Sequence, residues 1–415
     1  MTLLKIASNF LDIAFLSTST SLDLKGSLWY ILSRPVSAQR FQMRTGEDMA
    51  EVFLKKTKDV ARTIREWGDL LSEVVRPGDR MLIKPNLGGG NDPRTGMTAH
   101  PEVIEEVVAM VVDVGAGDVA IAEDPSSRRP ASEVFGDFDL YGIARRFGAR
   151  VVDLSECTYQ AVDPPAGLVE RLEISREVLV CDRLIGITTL KTHHQCRLSG
   201  ALKNMFSNVP SGLRQEFHRR DLEKAIVAIN SVRSPDLTIV DGAVGAEGMA
   251  PVEKRPVEMG VALAGRDPVA VDTVMALLMG FDPRKVRTLV FAGRARLGTC
   301  RPEEISVIGD PLKACSRRFM DPIESMAEHL KGRVEVEEDV RETGYSGIVA
   351  TALGHIAFRE KDGERLSGLR IAVGDHPGYR RDGRTVSVGD FRFEVEGGPF
   401  WTVPQVVELL REVLR

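Results

Sequence analysis

The chain has 415 residues, of which 43% are hydrophobic and 28% are charged, and its formal net charge is −5 at pH 7. This length is enough for two or three domains, and the composition is typical of a soluble globular protein. The acidic balance argues against a general nucleic-acid-binding protein, for which a basic excess is usual. The five cysteines are scattered without C-x-x-C spacing, which indicates neither a disulfide framework nor a zinc site and suits a reducing cytoplasm.

Residues 1–45 differ from the rest and are interpreted as an N-terminal extension, either disordered or upstream of the true start. Segment 3–16 is apolar but too short to span a bilayer, and Asp12 interrupts it. Because the segment also lacks the basic start and clear cleavage site of an export signal, we expect a cytoplasmic protein without membrane contact. Met43 and Met49 are both candidate starts.

From Ala50 onward, strand and helix patterns alternate along the chain. Strands are predicted over 50–57, 79–86, 117–126, 149–155, 234–245 and 260–268, with one or two more in 177–190. Helices are predicted over 63–75, 101–116, 141–148, 221–230 and 268–280. This alternation predicts an α/β fold with a mostly parallel sheet covered by helices on both faces. We assign residues 46–311 to the main domain and 312–415 to a smaller appended C-terminal α/β domain.

Successive predicted strands end in polar residues. These residues are Lys84 and Asn86, Glu123 and Asp124, Lys191 and His193, Asp241, and Arg266 and Asp267. In open α/β sheets, ligands bind outside the carboxyl ends of the strands. The sequence therefore predicts that these ends converge on one crevice.

The stretch 183–210 concentrates the chemistry of the chain, because cations, imidazoles and amides follow a short apolar strand. A helix beginning near Ala201 would turn its N–H groups towards the strand end, with Lys203 beside Lys191, and the two ammonium groups would hold an anion. His193 would face the same anion and move a proton near neutral pH, oriented or opposed by a carboxylate. The alternative interpretation is a solvated loop and helix start with surface lysines.

Two further patterns allow more than one interpretation. Gly88–Gly90 could cradle a phosphate with backbone N–H groups, but a tight turn also requires glycine, and neither nucleotide-binding glycine motif is present. His193, His194 and His218 with one carboxylate would suffice in number for a metal. Adjacent histidines point to opposite sides of an extended chain, however, and metal-type spacing is absent, so we expect no metal ligands.

Asp267 and Asp272 have different expected roles. Asp267 precedes Pro268 and is well placed to cap a helix, whereas Asp272 one turn later is expected to face the crevice. The candidate catalytic residues are thus His193, Lys191, Glu123 and Asp241. The candidate substrate-binding residues are Lys84, Asn86, Lys203, Asn204, His218 and Asp272.

Several blocks resemble the signatures of the domain of unknown function 362 family. They are IKPNL at 83–87, LKTH at 190–193, GALKN at 200–204, IVDG at 239–242 and RDPVAVD at 266–272. The resemblance runs in the expected order from about residue 50 to 311 and implies an α/β fold and an enzymatic role without a settled reaction.

Many relatives in that family carry a ferredoxin-like cysteine module. The corresponding places here, 343–347 and 397–400, contain no cysteine. We therefore expect no iron–sulfur cluster, and we interpret residues 312–415 as a cysteine-less relic of a cluster-binding module.

The favoured function is a cytoplasmic enzyme that acts on a small anionic substrate, bearing a carboxylate or phosphate, by acid–base chemistry. Isomerisation, ligation and proton abstraction next to a carbonyl would all suit these residues. The alternatives are a non-catalytic anion-binding or sensor protein and a metal-dependent or redox-linked enzyme. The sequence identifies no cofactor, indicates neither a nucleic-acid nor a membrane partner, and leaves a homo-oligomer open.

Overall fold

The structure is a computed structural model that describes residues 49–253, 255–330, 333–336, 346–359, 363–374, 385–389 and 403–414. The predicted N-terminal extension, residues 1–45, lies outside the described residues. So do the place 397–400 and all of 343–347 except its last two residues.

The described chain alternates strands and helices. The strands are β1 (Ala50–Lys56), β2 (Arg80–Pro85), β3 (Asp118–Glu123), β4 (Arg150–Asp153), β5 (Tyr159–Val162), β6 (Leu172–Ser175), β7 (Arg183–His193), β8 (Arg197–Ser199), β9 (Leu237–Glu247), β10 (Arg255–Gly265), β11 (Ile305–Gly309), β12 (Val334–Val336), β13 (Leu369–Gly374) and β14 (Thr385–Gly389). The α-helices are α1 (Val60–Glu66), α2 (Gly68–Ser72), α3 (Pro101–Asp113), α4 (Ala131–Asp137), α5 (Leu140–Phe147), α6 (Arg176–Val180), α7 (Ala201–Asn204), α8 (Ser211–Arg219), α9 (Leu222–Val232), α10 (Pro268–Leu278), α11 (Arg287–Arg294), α12 (Leu312–Cys315), α13 (Pro322–His329), α14 (Ser346–Gly354) and α15 (Val403–Leu414). Among the described helices, none is both long enough and apolar enough to cross a membrane.

The main sheet has the strand order β11-β1-β10-β9-β7-β2-β3-β4, with β8 paired to the end of β7. Neighbouring strands are parallel from β9 to β4 and between β1 and β11, whereas β10 is antiparallel to both of its neighbours. The predicted mostly parallel α/β fold is confirmed. The exception follows from the short connection 248–254, since parallel neighbours need a crossover of roughly a dozen residues or more.

The direction of β10 corrects one prediction. Arg266 and Asp267 follow this antiparallel strand, so they lie at the edge of the sheet opposite to the carboxyl ends of β2, β3, β7 and β9. The predicted convergence is therefore wrong for this strand end. Asp267 instead caps α10, as predicted, and its Oδ1 accepts from Val269 N at 2.9 Å and Ala270 N at 3.0 Å.

Helices cover both faces of the sheet. Alternate residues of β7 belong to different apolar clusters: Leu184 packs with α7, α9 and α10, and Ile185 packs with α1, α3 and α5. Successive side chains of a strand point to opposite faces, so a strand that is apolar throughout must be covered twice. This arrangement leaves the carboxyl ends of the parallel strands as the place where polar side chains gather.

Two local predictions were wrong. The helix predicted over 63–75 is divided into α1 and α2 at Trp67. Residues 177–180, predicted to be part of a strand, belong to helix α6 (Arg176–Val180). Short apolar runs do not separate helix from strand by periodicity alone, and here the tertiary context decides.

The C-terminal residues form a smaller α/β unit, as predicted, with a parallel sheet of order β12-β13-β14 and the helices α13, α14 and α15. Arg197 Nε donates to Asp321 Oδ2 at 2.7 Å, and Phe319 packs in the core beside the main sheet. These contacts join the two parts closely, and the boundary at 311–312 stays a prediction.

Candidate functional site

A buried lysine and a buried glutamate meet at the carboxyl ends of β2 and β3. Lys84 is 0% exposed and its ammonium is ion-paired with Glu123 Oε2. Lys84 Nζ also donates to Ser207 Oγ at 2.6 Å, and Ser207 Oγ donates to Glu123 Oε1 at 2.6 Å. The three side chains thus form a closed network in which a proton can pass between hydrogen-bonded groups.

Burial acts on both charges of this pair. It lowers the pKa of Lys84 and raises the pKa of Glu123, while their attraction opposes both shifts. Desolvation therefore brings the two pKa values towards each other. Such convergence is common where a proton is moved, but structural ion pairs produce it too.

A second buried pair lies beside the first. Arg214 from α8 is ion-paired with Asp124, and its Nη1 donates to Ser126 Oγ at 2.7 Å. Neither Ser207 nor Arg214 was singled out from the sequence. Their positions past α7 gave no local signal. Ser207 is brought to the site by the 3₁₀ turn Met205–Asn208, and Arg214 by the packing of α8.

Lys191 at the end of β7 is held by neutral acceptors rather than by a carboxylate. Its Nζ donates to Met97 O at 2.7 Å, to Thr189 Oγ1 at 3.2 Å, and to Asn86 Oδ1. Burial, assisted by the charge of Lys203, lowers the pKa of Lys191 to about 7. The Lys191 side chain can therefore change between its amine and ammonium forms near neutral pH.

Two asparagines fix the position of α7 against the strand ends. Asn86 Nδ2 donates to Asn204 Oδ1 at 3.3 Å. Asn204 Nδ2 donates to Lys84 O at 3.1 Å and to Ile187 O at 3.3 Å. Asn204 therefore ties the helix to β2 and β7, and its amide is committed to the backbone.

Lys203 is the most open cation of the cluster. It is partly buried, and its ammonium lies 5.3 Å from the centre of the Phe206 ring. Within the described part of the chain it has neither an acidic partner nor a hydrogen-bond acceptor. Burial lowers its pKa, and its charge in turn lowers the pKa of His193, His194 and His218.

Three histidines stack beside Lys203. The ring of His193 lies 4.5 Å from that of His194 and 6.2 Å from that of His218, each with an interplanar angle of 26°. The expectation that His193 and His194 face opposite sides is therefore wrong. Strand β7 ends at His193 and the chain turns there, so the alternation of an extended strand no longer applies.

Burial keeps these imidazoles neutral. It lowers the pKa of His193 well below 6.5, that of His194 to about 4 and that of His218 to about 3. His193 Nδ1 accepts from Gln195 N and Cys196 N, both at 3.2 Å, and it has no carboxylate partner among the described residues. A proton-moving role for His193 stays a prediction.

Asp241 pairs with His100 and not with His193, the histidine for which a carboxylate partner was expected. Its Oδ2 lies 2.7 Å from His100 Nδ1 and accepts from His100 N at 2.8 Å, while Oδ1 accepts from Ala243 N at 3.2 Å. His100 immediately precedes the predicted helix 101–116 and was not among the candidate residues. Its position before Pro101 masked it, because a helix cap explains a polar residue there without any further role.

The free helix end expected near Ala201 is absent. Helix α7 begins at Ala201 as predicted, but Asp272 accepts from Ala201 N at 2.6 Å and from Leu202 N at 3.0 Å. Burial raises the pKa of Asp272 to about 7. Asp272 thus occupies the position expected for an external anion, because α10 packs directly behind α7.

Gly88–Gly90 forms a tight turn. Gly89 has φ of 74° and donates to Pro125 O at 2.6 Å, and Gly90 donates to Leu87 O at 2.9 Å. At least two of the N–H groups considered for phosphate binding are therefore engaged by carbonyls. The described residues also contain no group of three or more His, Cys, Asp or Glu side chains placed to hold a metal ion.

Most of the residues at these strand ends are buried. The partly exposed ones are Asn86, His100, His194, Lys203, Ser207 and His218. On the opposite side of α8, a surface cavity of about 530 Å³ is lined by Glu170, Arg171, Glu216, Arg219 and Arg220. These surface charges are separate from the predicted site residues.

The fold and this buried polar cluster at the strand ends define an enzyme-like α/β protein. The profile of Domain of unknown function (DUF362) matches residues 81–277. The thylakoid-associated protein sll1697 of Synechocystis sp. is 30% identical over 245 residues, covering 57% of this chain and 74% of that protein. The chain belongs to the DUF362 family, as its sequence blocks predicted.

Two solved structures share part of the fold. The lactate racemase apoprotein of Thermoanaerobacterium thermosaccharolyticum is 13% identical with a TM-score of 0.36, covering 53% of this chain and 54% of that chain. A Thermotoga maritima protein gives the same identity and TM-score, covering 50% of this chain and 56% of that chain. This chain thus spans little more than half of either structure.

Proposed function

We propose that this protein is an enzyme that binds a small carboxylate- or phosphate-bearing anion at the carboxyl ends of β2, β3 and β7 and transfers a proton on it. The observation that carries the proposal is the partly exposed Lys203 ammonium, which lies beside neutral imidazoles and has no acidic partner in the described chain. A partly desolvated cation of this kind gains much from an anion.

The neighbouring groups complete a binding site around that cation. Lys191 supplies a second positive charge from the strand side, and His193, His194 and His218 offer ring N–H groups. Ser207 is also partly exposed, and its hydroxyl is hydrogen-bonded to both members of the buried Lys84–Glu123 pair. The set therefore combines anion binding with groups that can carry a proton.

A non-catalytic binding protein is the second candidate. The observation that favours it is the lack of a carboxylate partner for His193, since an unpaired neutral imidazole suits binding as well as catalysis. The two candidates differ in one measurable property. The enzyme exchanges a substrate proton with solvent, and the binding protein does not.

The test begins with binding. Wild type, Lys203→Met and Lys58→Met are compared by thermal unfolding with a panel of small carboxylates and phosphate esters. Lys58 is an exposed lysine far along the chain from the cluster and serves as the matched control. At a concentration of about 100 times Kd, a bound anion stabilises the protein by about 2.7 kcal/mol.

We expect at least one anion to stabilise wild type and Lys58→Met but not Lys203→Met, while all three proteins remain folded. A surface lysine without a ligand role would change stability by only about 0.5 kcal/mol and would leave the anion effect intact. Wild-type affinity of Lys203→Met for that anion would contradict the proposal.

A further inference from the structure

His100 and Asp241 form a histidine–carboxylate pair near Lys191, one of the proposed anion-binding residues. The side chain of Asp241 is 1% exposed and that of His100 is 26% exposed, so the carboxylate is buried while the ring is partly accessible to solvent. Asp241 is fixed by three donors, of which two belong to His100 itself. The ring is therefore held in one orientation.

The pair adjoins Lys191. Asp241 lies opposite Thr189 in the parallel pairing of β9 with β7, and Thr189 Oγ1 accepts from Lys191 Nζ at 3.2 Å. Met97, whose carbonyl also binds Lys191, precedes His100 in the same loop. Because paired strands lie about 4.8 Å apart, the dyad lies close to the Lys191 ammonium.

We propose that the His100–Asp241 pair is the acid–base group of this site, with His100 Nε2 as the proton acceptor and Asp241 as the residue that positions the ring. This inference rests on the proposed function. In the forward step, a C–H bond next to a carbonyl of the bound anion breaks, its electron pair stays on the substrate as an enolate, and the proton moves to Nε2. The reverse step returns it.

The tautomers distinguish His100 from His193. Asp241 accepts the Nδ1 proton of His100, which leaves the lone pair on Nε2; this atom has no hydrogen-bond partner in the part of the chain that the structure describes. His193 has the opposite arrangement, because its Nδ1 accepts from two backbone N–H groups and Nε2 then carries the proton. Of these two described histidines, His100 is the one that presents a basic nitrogen backed by a carboxylate.

The charges around His100 keep it suitable as a base. Asp241 from β9, Glu102 in the first turn of α3 and Asp92 in the preceding loop all raise its pKa, and partial burial opposes them. Its hydrogen bond to Asp241 has the largest effect. These charges favour the protonated ring, so they make His100 a stronger base than an ordinary histidine.

The first measurement is a histidine NMR titration of the whole protein, with His100→Gln used to assign the resonance. We expect His100 to titrate above the ordinary value of about 6.5, and Asp241→Asn to lower its midpoint by roughly 1 pH unit or more. A midpoint at or below the ordinary value that Asp241→Asn leaves unchanged would overturn the dyad.

The second measurement is deuterium incorporation from D₂O into small 2-oxo carboxylates and phosphorylated ketones, in which the C–H next to the carbonyl is acidic. We expect wild type and the control His329→Gln, an exposed histidine of α13, to catalyse exchange. We expect His100→Gln to lose about 100-fold or more while still being stabilised by the same anion.

The outcomes separate the two proposals. If no anion stabilises wild type, the proposed function fails. If anions stabilise wild type but none exchanges, the anion site stands and proton transfer is refuted for both proposals. If His193→Gln abolishes exchange while His100→Gln retains it, the proposed function stands and the catalytic role of His100 is refuted.

Discussion

Lys84 and Glu123 show how strongly burial governs single residues of this site. Both side chains are almost completely shielded from solvent, so each charge has lost its hydration and depends on its partner. A buried ion pair is weak support for stability as a whole, but removing one member leaves an uncompensated charge. The pair therefore lends itself to a direct test.

We expect Lys84→Met to lower the free energy of unfolding by about 3–5 kcal/mol, and the double variant Lys84→Met/Glu123→Gln to recover part of that loss. Urea unfolding measures both, with Lys58→Met as the control. The lower end of the range applies if Ser207 and the backbone N–H of Asp124 continue to stabilise the Glu123 carboxylate. Equal stability of the single and double variants would contradict the reasoning.

We expect the proposed anion binding to depend on pH through Lys191. Its pKa of about 7 in the free protein rises when an anion binds, because an anion favours the ammonium form. The complex therefore holds more protons than the free protein just above pH 7. It follows that affinity decreases as the pH rises through about 7.

Calorimetry in buffers of different ionisation enthalpy measures this uptake. For an anion that stabilises wild type, we expect net proton uptake at about pH 7.5, and reduced uptake in Lys191→Met. Binding without any proton uptake, or with proton release, would show that Lys191 keeps a constant charge.

At the scale of elements, α7 is positioned by an acid from another helix. Gly200 precedes α7, and a Cβ built there would lie 2.1 Å from Asp272 Oδ1. The residue must therefore be small for Asp272 to reach the first N–H groups of the helix. This contact sets the direction of Lys203, which lies within the same short helix.

We expect Gly200→Ala to lower the free energy of unfolding by about 1–3 kcal/mol, because the added methyl group forces Asp272 off the helix end. Gly212→Ala in α8 is the matched control. No atom lies within 4 Å of a Cβ at that position. We expect that control to be neutral or more stable by up to about 1 kcal/mol. Chemical denaturation compares the two, and equal effects would contradict the explanation.

At the scale of the whole molecule, the C-terminal part covers one side of the histidine cluster. Thr351 in α14 donates to His194 O at 2.8 Å, and its Oγ1 lies 2.9 Å from His194 Nδ1. A Cβ at Gly347 would lie 2.5 Å from Gln195 O, so the helix start approaches the end of β7 closely. The C-terminal part therefore helps to shape the site.

The absence of thiolate ligands at workable spacing predicts that no iron–sulfur cluster is bound. All five cysteines are described, unpaired and separate, and burial raises the pKa of each thiol. Protein prepared without oxygen is expected to show no broad visible absorption and no stoichiometric iron. About four irons per chain would contradict this prediction.

The sequence by itself determined the α/β class and four of the converging strand ends. Apolar runs fix the strands, and polar residues just beyond them mark one edge of a parallel sheet, so Lys84, Glu123, Lys191 and Asp241 were predicted to lie close together. The short connection 248–254 also indicates the reversed direction of β10, because a parallel neighbour would need a longer crossover. These features depend on neighbours along the chain.

Only the tertiary structure decided which side chains pair. His100 and Asp241 are 141 positions apart, and Asp272 lies 71 positions from Ala201, whose N–H it binds. No local pattern encodes such partners, because the sequence alone is compatible with several different pairings of the acids and bases at the same sheet edge. The choice depends on helix packing, which places His100 beside Asp241 and leaves Lys203 without an acid in the described chain.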